Sequence, residues 1–349
     1  MNVRKLLAWY LEYARDLPWR KYPTPYNVWV SEIILQQTQM SRGVEYYKKF
    51  IEEFPDVFAL SNADEQDVLR LWQGLGYYSR ARNLHCAAKY IVQNHQGVFP
   101  EDIAELKKIK GIGDYTASAI ASIAFDSKAV VADGNVIRVI SRLFYIQEPV
   151  DIVLTIKTIK AHAFLLMGDH RPSLFNQAMM ELGALVCKPV NPACSSCPMI
   201  DQCKAFASDA QMTIPVKSKK IKRSERYFHY FFINDSAGSF YLKQRTNDDI
   251  WKQLWELPLI ETEAEIKLDV GDLAEFLPLN KITIANPSFI ARKLHKLTHR
   301  DIHASFYRID VHGLLNETEG FVIVTQEQRR AYPVHNLMKW GFEVIIPQY

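Results

Sequence analysis

The stretch K-G-I-G-D-Y-T-A-S-A at residues 110–119 interrupts a region whose apolar residues otherwise recur at helical spacing. Gly111 and Gly113 are poor helix formers, so we predict a helix, a tight turn and a second helix from about Asp114. The side chain of Ile112 is expected to point inward. A helix N-terminus presents backbone N–H groups that bind phosphate without reading sequence. On G-x-G alone, a plain helix–helix turn is the simpler interpretation.

The surrounding region, residues 1–210, has the pattern of short amphipathic helices broken by Pro or Gly. Its first helix is predicted to begin near Val3 and to end near Pro18. It lacks the apolar segment and the cleavage site of a signal peptide. No run of about 18 apolar residues occurs, which argues against a membrane-spanning helix. We therefore expect an intracellular protein, located in the cytoplasm.

Residues 227–349 have a different pattern, with short aromatic or β-branched runs separated by Gly, Asp and Asn. These runs are predicted strands: YFHYFFIND, SFYLKQR, HASFYRID and GFVIVT. LDVGDLAEFL at 268–277 and the stretch from Pro333 have helical patterns. A chain of 349 residues, 48% of them hydrophobic, is long enough for two domains with cores. The predicted fold class is multi-domain, with an all-α domain at 1–210 and an α+β domain at 227–349.

The segment between these domains, residues 211–226, has a local charge of +5, whereas the whole chain has a net charge of +3. It contains six Lys or Arg residues and one acidic residue, whereas the flanking regions are nearly balanced. A solvated linker explains such a run. A linker that also lies along nucleic-acid phosphates is the alternative.

Four of the five cysteines lie within 17 residues, in the pattern C-x6-C-x2-C-x5-C: Cys187, Cys194, Cys197 and Cys203. Disulfides are disfavoured in a reducing compartment, so the pattern predicts a metal centre. Four thiolates suit a [4Fe–4S] cluster, and zinc is the alternative, although structural zinc sites usually pair two C-x2-C hooks. No ligand position is left open, which favours a structural role. Cys86 is interpreted as an ordinary small residue on a helix.

A second polar turn, Asp133-Gly134-Asn135, comes just before a predicted helix. An N-cap is the commonest role of an aspartate in this position.

Seven stretches resemble, in order and spacing, the MutY-type adenine DNA glycosylases, which belong to the helix-hairpin-helix superfamily together with endonuclease III. They are LPWR (17–20), VWVSEIILQQTQ (28–39), GLGYYSRARNL (74–84), GIGDYTASA (111–119), DGNVIRV (133–139), FNQAMMELGA (175–184) and the cysteine loop (187–203). The resemblance covers most of residues 8–205. It implies a helix-hairpin-helix glycosylase domain with a [4Fe–4S] loop.

The same resemblance implies that residues 227–349 form a Nudix-like lesion-recognition domain. WKQLWELP (251–258) is similar to the family's tryptophan-rich segment there. The Nudix hydrolase pattern G-x5-E-x7-R-E does not occur in the sequence. We therefore expect this domain to bind and not to hydrolyse.

The implied activity is the removal of adenine mispaired with 8-oxoguanine or guanine in double-stranded DNA. Adenine is a poor leaving group, so it must be protonated by a carboxylic acid that an apolar site keeps neutral. Glu32, which lies beside Val30, Ile33 and Ile34, matches the family's acid. Asp133 matches the aspartate that stabilises the oxocarbenium-like sugar, either by its charge or through a covalent intermediate, and Asn135 is expected to assist it.

Tyr115 determines the second half of the predicted reaction. In endonuclease III-like relatives that also cut the strand, this position is a lysine, which forms a Schiff base with the sugar. Tyrosine cannot form one, so the resemblance implies a monofunctional glycosylase that leaves an abasic site. Tyr115 is expected to line the pocket near Glu32.

Base excision requires the target base to leave the stack and another group to fill the gap. By resemblance, the wedge residues are Gln37 and Tyr77, the adenine pocket contains Trp19, Arg20, Leu35 and Gln177, and the DNA backbone contacts are Gly111, Gly113, Arg80 and Arg82. Core packing is the alternative for the aromatic residues and Leu35. A solvated helix face is the alternative for Arg80 and Arg82.

Two departures from the family pattern stand out. Lys110 replaces a proline before the first hairpin glycine. Leu297-Thr298-His299 replaces the family's F-S-H, in which the serine recognises 8-oxoguanine; Thr298 keeps the hydroxyl, and His299 is retained. The remaining alternatives are an endonuclease III-like or thymine-mismatch glycosylase, a non-catalytic DNA-binding protein and a Nudix pyrophosphatase. The expected state is a monomer with no membrane partner, and the resemblance implies that it is associated with the nucleoid.

Overall fold

The computed structural model describes residues 2–218, 223–265 and 287–346. The chain forms two compact units, which are Met1–Ala63 with Asn83–Lys219, and Asp64–Arg82 with Lys220–Tyr349. The predicted helix at 268–277 and the middle of the predicted linker, 219–222, lie outside the described residues. The domain boundaries at 210 and 227 stay predictions.

Helices account for most of the described chain before the linker. They are α1 (Val3–Tyr13), α2 (Pro18–Lys21), α3 (Pro25–Leu35), α4 (Met40–Glu53), α5 (Val57–Asn62), α6 (Glu65–Trp72), α7 (Ser79–His95), α8 (Ile103–Lys108), α9 (Asp114–Ala124), α10 (Gly134–Phe144), α11 (Val153–Met167), α12 (Pro172–Leu185) and α13 (Lys204–Ala207). None of the helices in the described ranges has the length and apolar character that a membrane crossing requires.

The first unit has a core in which α1, α10, α11 and α12 pack together with the cysteine loop. Its fully buried side chains include Leu6, Ile140, Ile159, Met179 and Met199. Burying each such side chain contributes about 1.5–3 kcal/mol. The N-terminal helix is therefore part of the core, although it ends at Tyr13 and not near Pro18 as predicted.

The hairpin at 110–119 joins α8 to α9 as predicted. Ile112 is 4% exposed and points inward. Gly111 has φ +88, and a Cβ atom there would lie 2.8 Å from the Cβ of Asn83, so this position requires glycine. Gly113 caps α9 with φ −89, a backbone conformation that any residue adopts. Only the first glycine is therefore needed for the turn itself.

The second unit contains a mixed sheet, in which the described residues form seven strands. They are β1 (Ser224–Asn234), β2 (Phe240–Gln244), β3 (Trp255–Glu256), β4 (Leu259–Thr262), β5 (Ser288–Lys296), β6 (Arg300–Asp310) and β7 (Phe321–Val324), followed by helix α14 (Asn336–Ile345). The central strands β1 and β6 are parallel, and the other pairs are antiparallel. The four predicted strand runs correspond to β1, β2, β6 and β7, and the predicted C-terminal helix is α14.

Helix α6 and the turn after it belong to the second unit, although their sequence lies within the predicted domain 1–210. Trp255 Nε1 donates to Gln66 Oε1 at 3.1 Å, and Tyr78 Oη donates to the carbonyl of Val334 at 3.2 Å. These hydrogen bonds attach α6 and its turn to the sheet.

Candidate active site

The first unit contains a cavity of about 640 Å³ between α2, α3, α9, the start of α10, and α12. This volume is in the range of pockets that hold small molecules. Its lining includes nine of the predicted site residues: Trp19, Arg20, Glu32, Leu35, Gln37, Tyr115, Asp133, Asn135 and Gln177. The fold therefore brings the predicted catalytic and adenine-pocket residues to one place.

Glu32 reaches the cavity from α3, a helix that is buried along most of its length. The helix begins after Thr24, whose side chain accepts the N–H of Asn27 at 3.2 Å, and has Pro25 in its first turn. Eight of its eleven residues are buried, because it packs against α9, α4 and α2. Glu32 is 7% exposed. A carboxylate in such a position lacks most of its hydration.

The hydroxyl of Tyr115, which also lines the cavity, donates a hydrogen bond to Glu32 Oε2. Burial raises the pKa of Glu32 from 4.5 to about 7; the Tyr115 hydrogen bond lowers it, the charge of Asp133 raises it, and Arg20 lowers it. The protonated form of Glu32 is therefore available near neutral pH. A carboxyl with this pKa is suited to general acid catalysis.

Replacing Tyr115 with phenylalanine is expected to move the alkaline limb of the pH–rate profile to higher pH. The Tyr115 hydrogen bond favours the carboxylate form of Glu32, so its loss raises the pKa of Glu32. Glu32 then stays protonated up to a higher pH. Single-turnover rates of base release across the pH range measure this. Tyr13→Phe, at an exposed position on α1, is the matched control. A shift of the alkaline limb to lower pH would contradict the assignment of Glu32 as the acid that Tyr115 contacts.

Asp133 is the N-cap of α10 and also faces the cavity. Its Oδ1 accepts the N–H of Val136 at 2.7 Å, and its Oδ2 accepts Asn135 Nδ2 at 2.6 Å. Burial raises the pKa of Asp133, and these hydrogen bonds partly offset the rise. The carboxylate that caps α10 also lines the cavity, so the capping role does not exclude a catalytic role for Asp133.

A polar network joins this turn to the cysteine loop. Arg138 Nη2 donates to Asn135 Oδ1 at 2.9 Å and to the carbonyl of Gly183 at 2.8 Å. Arg138 Nε donates to the carbonyl of Cys187 at 2.7 Å. The orientation of Asn135 beside Asp133 thus depends on contacts that extend to the first cysteine.

The predicted adenine-pocket residues have defined partners in the cavity wall. Trp19 packs edge-on against Tyr47, with ring centroids 5.0 Å apart. Gln177 Oε1 accepts the hydroxyl of Tyr10 at 3.3 Å, and its Nε2 donates to the carbonyl of Ser173 at 3.1 Å. Gln177 Oε1 keeps a second acceptor position for a ligand, and Gln177 Nε2 keeps a second N–H donor.

Sequence reasoning missed two charged residues of the cavity, Arg15 and Glu181. Glu181 accepts hydrogen bonds from Arg15 and from Arg20, with N···O distances of 2.7 and 2.8 Å for the closest pairs. The position of Glu181 four residues after Gln177 on α12 was a usable signal, since residues at this spacing share a helix face. Arg15 lies in a loop, and no sequence pattern indicates its partner.

The two predicted wedge residues share an uncommon backbone conformation. Gln37 follows α3 with φ 56, and Tyr77 lies in the turn before α7 with φ 48. Residues other than glycine rarely adopt this left-handed conformation, and strain of this kind is concentrated at functional sites. Gln37 is exposed and Tyr77 is 46% exposed.

The second unit holds the predicted lesion-recognition residues in the turn between β5 and β6. The hydroxyl groups of Thr298 and Tyr77 are hydrogen-bonded to each other. His299 is exposed, and its carbonyl accepts the N–H of Ser224 at 3.0 Å. Tyr77 and Thr298, which are 221 positions apart in the sequence, therefore present their hydroxyl groups together.

Arg80 and Arg82, the predicted phosphate contacts, are half-buried in the second unit. Arg80 Nη2 donates to the carbonyl of Gly76 at 3.1 Å, and Arg82 donates to the carbonyl of Lys252. Both guanidinium groups thus hold backbone segments in place. Their contact with DNA stays a prediction.

The four cysteines of the loop line one small cavity together with Arg142, and all four are free thiols. Arg142 Nη1 donates to Cys187 Sγ at 3.3 Å. Burial raises the pKa of Cys197 to about 12, so a thiolate there requires a compensating positive charge. In the described ranges, no three His, Cys, Asp or Glu side chains are arranged to hold a metal ion. The donor set of four thiols and a neighbouring guanidinium fits a metal cluster chemically.

Two family profiles match the chain. The profile of the HhH-GPD superfamily of base excision DNA repair proteins matches residues 30–156, and the NUDIX domain profile matches residues 229–341. These matches, together with the helical unit and the mixed sheet, confirm the predicted fold class.

Known proteins with related sequences or structures agree with these profiles. An adenine DNA glycosylase of Buchnera aphidicola is 34% identical over 306 residues, which cover 85% of this chain and 83% of that protein. An adenine DNA glycosylase of Arabidopsis thaliana is 40% identical over 299 residues, covering 74% of this chain and 47% of that protein. The structure of a thermostable thymine-DNA glycosylase matches with a TM-score of 0.54 and 26% identity, covering 59% of this chain and 95% of that one.

The match to the Buchnera aphidicola protein extends over most of both chains and is therefore not limited to one shared domain. The chain belongs to the adenine DNA glycosylase family within the helix-hairpin-helix superfamily of base excision repair proteins.

Proposed function

We propose that this protein is a monofunctional adenine DNA glycosylase of base excision repair. It hydrolyses the N-glycosidic bond of a mispaired adenine in double-stranded DNA and leaves an abasic site. One observation carries the proposal: a carboxyl with a pKa of about 7, Glu32, shares a cavity with Asp133. Such a pair, one group protonated and one able to carry negative charge, is what cleavage of a glycosidic bond requires.

In the proposed reaction, the adenine of a flipped nucleotide enters the cavity and takes the proton of Glu32 as the bond to the sugar breaks. Protonation makes the base a neutral leaving group. The sugar develops oxocarbenium character, which the carboxylate of Asp133 stabilises. Water then adds to the sugar carbon, and the ionised Glu32 accepts the proton that this water loses. The products are free adenine and an abasic site.

The strand stays intact because the cavity offers no amine at the hairpin position. The Tyr115 hydroxyl is hydrogen-bonded to Glu32, and a phenol does not form a Schiff base with the sugar.

The opposite base is proposed to be 8-oxoguanine or guanine. The paired hydroxyl groups of Tyr77 and Thr298 support this, because they present donor and acceptor positions to an oxidised purine edge. Gln37 is proposed to fill the space that the flipped adenine leaves. DNA is the proposed partner, and the enzyme is proposed to act as a monomer in the cellular compartment that contains DNA.

We further propose that the four cysteines hold a structural [4Fe–4S] cluster, with zinc as the alternative. The cluster would bind the loop at 187–203 and stabilise the adjacent core, to which Cys187 and Met199 belong. Substituting Cys197 with serine is expected to remove the visible absorption of the purified protein and to lower the midpoint of its thermal unfolding. Cys86→Ser, at the exposed cysteine on α7, is the matched control. A colourless wild-type protein that contains zinc would overturn the iron–sulfur assignment.

The test of the proposed function is base release from four duplexes, which contain an A:8-oxoguanine, A:G, A:T or T:G pair. We expect free adenine from the A:8-oxoguanine and A:G duplexes and none from the A:T duplex. Release of thymine from a T:G duplex would favour a thymine-mismatch glycosylase. The absence of any released base would favour a binding protein.

A further inference from the structure

Glu181 is a fully buried carboxylate on α12 that binds two arginines from a separate segment of the chain. Its Oε1 accepts the backbone N–H of Arg15 at 2.9 Å and Arg15 Nε at 2.8 Å. Its Oε2 accepts Arg15 Nη2 at 2.7 Å and Arg20 Nη2 at 2.8 Å. The Glu181 side chain is 1% exposed, so the two partly exposed guanidinium groups make charge-assisted hydrogen bonds to a desolvated carboxylate.

The three residues also form part of the wall that surrounds Glu32. Arg15, Arg20 and Glu181 line the same cavity, together with the catalytic pair Glu32 and Asp133. Arg20 Nη1 donates to the carbonyl of Arg15 at 3.1 Å, so the guanidinium of Arg20 is fixed on two sides. The charge of Arg20 favours the ionised form of Glu32. Proton donation requires the opposite form.

Glu181 itself stays ionised. Burial acts to raise its pKa, but the hydrogen bonds from Arg15 and Arg20 outweigh this and hold the pKa of Glu181 at about 2. Its negative charge is therefore a constant feature of the cavity wall at every pH at which the enzyme works.

We propose that Glu181 is a positioning residue of the adenine pocket, which fixes the guanidinium groups of Arg15 and Arg20 and offsets their positive charge beside Glu32. The inference rests on the proposed function. It explains how a pocket can offer a guanidinium donor to adenine without taking the proton from the neighbouring acid. The other titratable groups that line the cavity with Glu32 are Tyr115 and Asp133, and the variants below leave both unchanged.

Two substitutions change the charge of this group in opposite directions. The two arginines and Glu181 carry a net charge of +1. Glu181→Gln raises it to +2, which favours the ionised form of Glu32 and lowers its pKa. Arg15→Gln reduces it to zero, which raises the pKa of Glu32. A substitution that only disturbs packing would lower the rate at every pH and would not move the profile in both directions.

The experiment is single-turnover adenine release from an A:8-oxoguanine duplex between about pH 5.5 and about pH 9. A downward shift of one pH unit makes Glu181→Gln about tenfold slower than wild type at about pH 8 and less than about twofold slower at about pH 5.5. The equivalent upward shift makes Arg15→Gln about fivefold faster than wild type at about pH 8. Glu45→Gln, at an exposed position on α4, is the matched control and should follow the wild-type profile.

Parallel profiles for wild type, Glu181→Gln and Arg15→Gln, or shifts of both variants in the same direction, would overturn the inference while leaving the proposed function in place. If Glu181→Gln does not fold, Arg15→Gln decides alone: an upward shift supports the inference and any other result overturns it. A wild-type protein that releases no adenine would overturn the proposed function, and this inference with it.

Discussion

Replacing Glu32 with glutamine is expected to lower the single-turnover rate of adenine release by about 10³-fold, within the range attributed to general acid–base catalysis. Glutamine has the shape of the protonated acid and still accepts the hydroxyl of Tyr115, but it has no proton to give to the leaving base. Because Glu32 is buried and burial favours its neutral form, a neutral side chain fits its site. Folding is therefore expected to be preserved.

Two further measurements make the loss of activity in Glu32→Gln interpretable. Glu45→Gln places the same change at an exposed position on α4 and is expected to keep wild-type activity. Binding of Glu32→Gln to the A:8-oxoguanine duplex is expected to stay within about threefold of wild type, a difference of less than 1 kcal/mol. A variant that retains adenine release within tenfold of wild type would show that another group protonates the base.

Replacing Asp133 with asparagine is expected to lower the rate of adenine release by about 10²–10³-fold, the cost seen when one electrostatic contact to a transition state is lost. Asparagine is as good an N-cap as aspartate, so α10 keeps its start while the negative charge near the sugar disappears. In the wild type, Asn135 Nδ2 donates a hydrogen bond to Asp133 Oδ2. The NH2 group of the introduced asparagine cannot accept this bond, because it is itself a donor. This lost hydrogen bond costs about 1 kcal/mol of stability.

The chain offers a matched control for the Asp133 substitution. Asp56 caps α5 in the same unit, where its carboxylate accepts the N–H of Ala59 at 2.8 Å. Asp56→Asn makes the same chemical change at an N-cap outside the cavity and is expected to leave the rate unchanged. Equal losses of rate in the two variants would mean that Asp133→Asn acts by disturbing the N-cap of a helix and not by removing a charge near the sugar.

The proposed catalytic residues that line the cavity could be named from the sequence because they lie in short segments that resemble a known family. Glu32 is a single charge in an apolar helix, and Tyr115 follows a glycine turn whose functional meaning came only from the resemblance to a known family. What the sequence does not show is how distant segments meet. The pairing of Arg15 and Arg20 with Glu181 joins residues more than 160 positions apart, and no local pattern indicates it.

The second unit shows the same limit more clearly. Strand β5 was missed because its sequence, SFIARKLHK, contains three charged residues without regular alternation, and none of its residues is buried. The parallel pairing of β1 with β6 depends on contacts between residues about 75 positions apart. The attachment of α6 to the sheet likewise depends on side chains such as Gln66, which look like ordinary surface residues in the sequence.

The central claim is that this protein hydrolyses the bond to adenine and does not cut the strand. The most direct test is single-turnover treatment of a duplex with one A:8-oxoguanine pair, analysed with and without hot alkali. We expect strand breaks at the adenine position only after alkali, because an abasic site stays intact until hot alkali cleaves the strand there. Breaks without alkali would contradict the role assigned to Tyr115. The absence of strand breaks in both samples, which means that no adenine was released, would contradict the proposed adenine glycosylase activity.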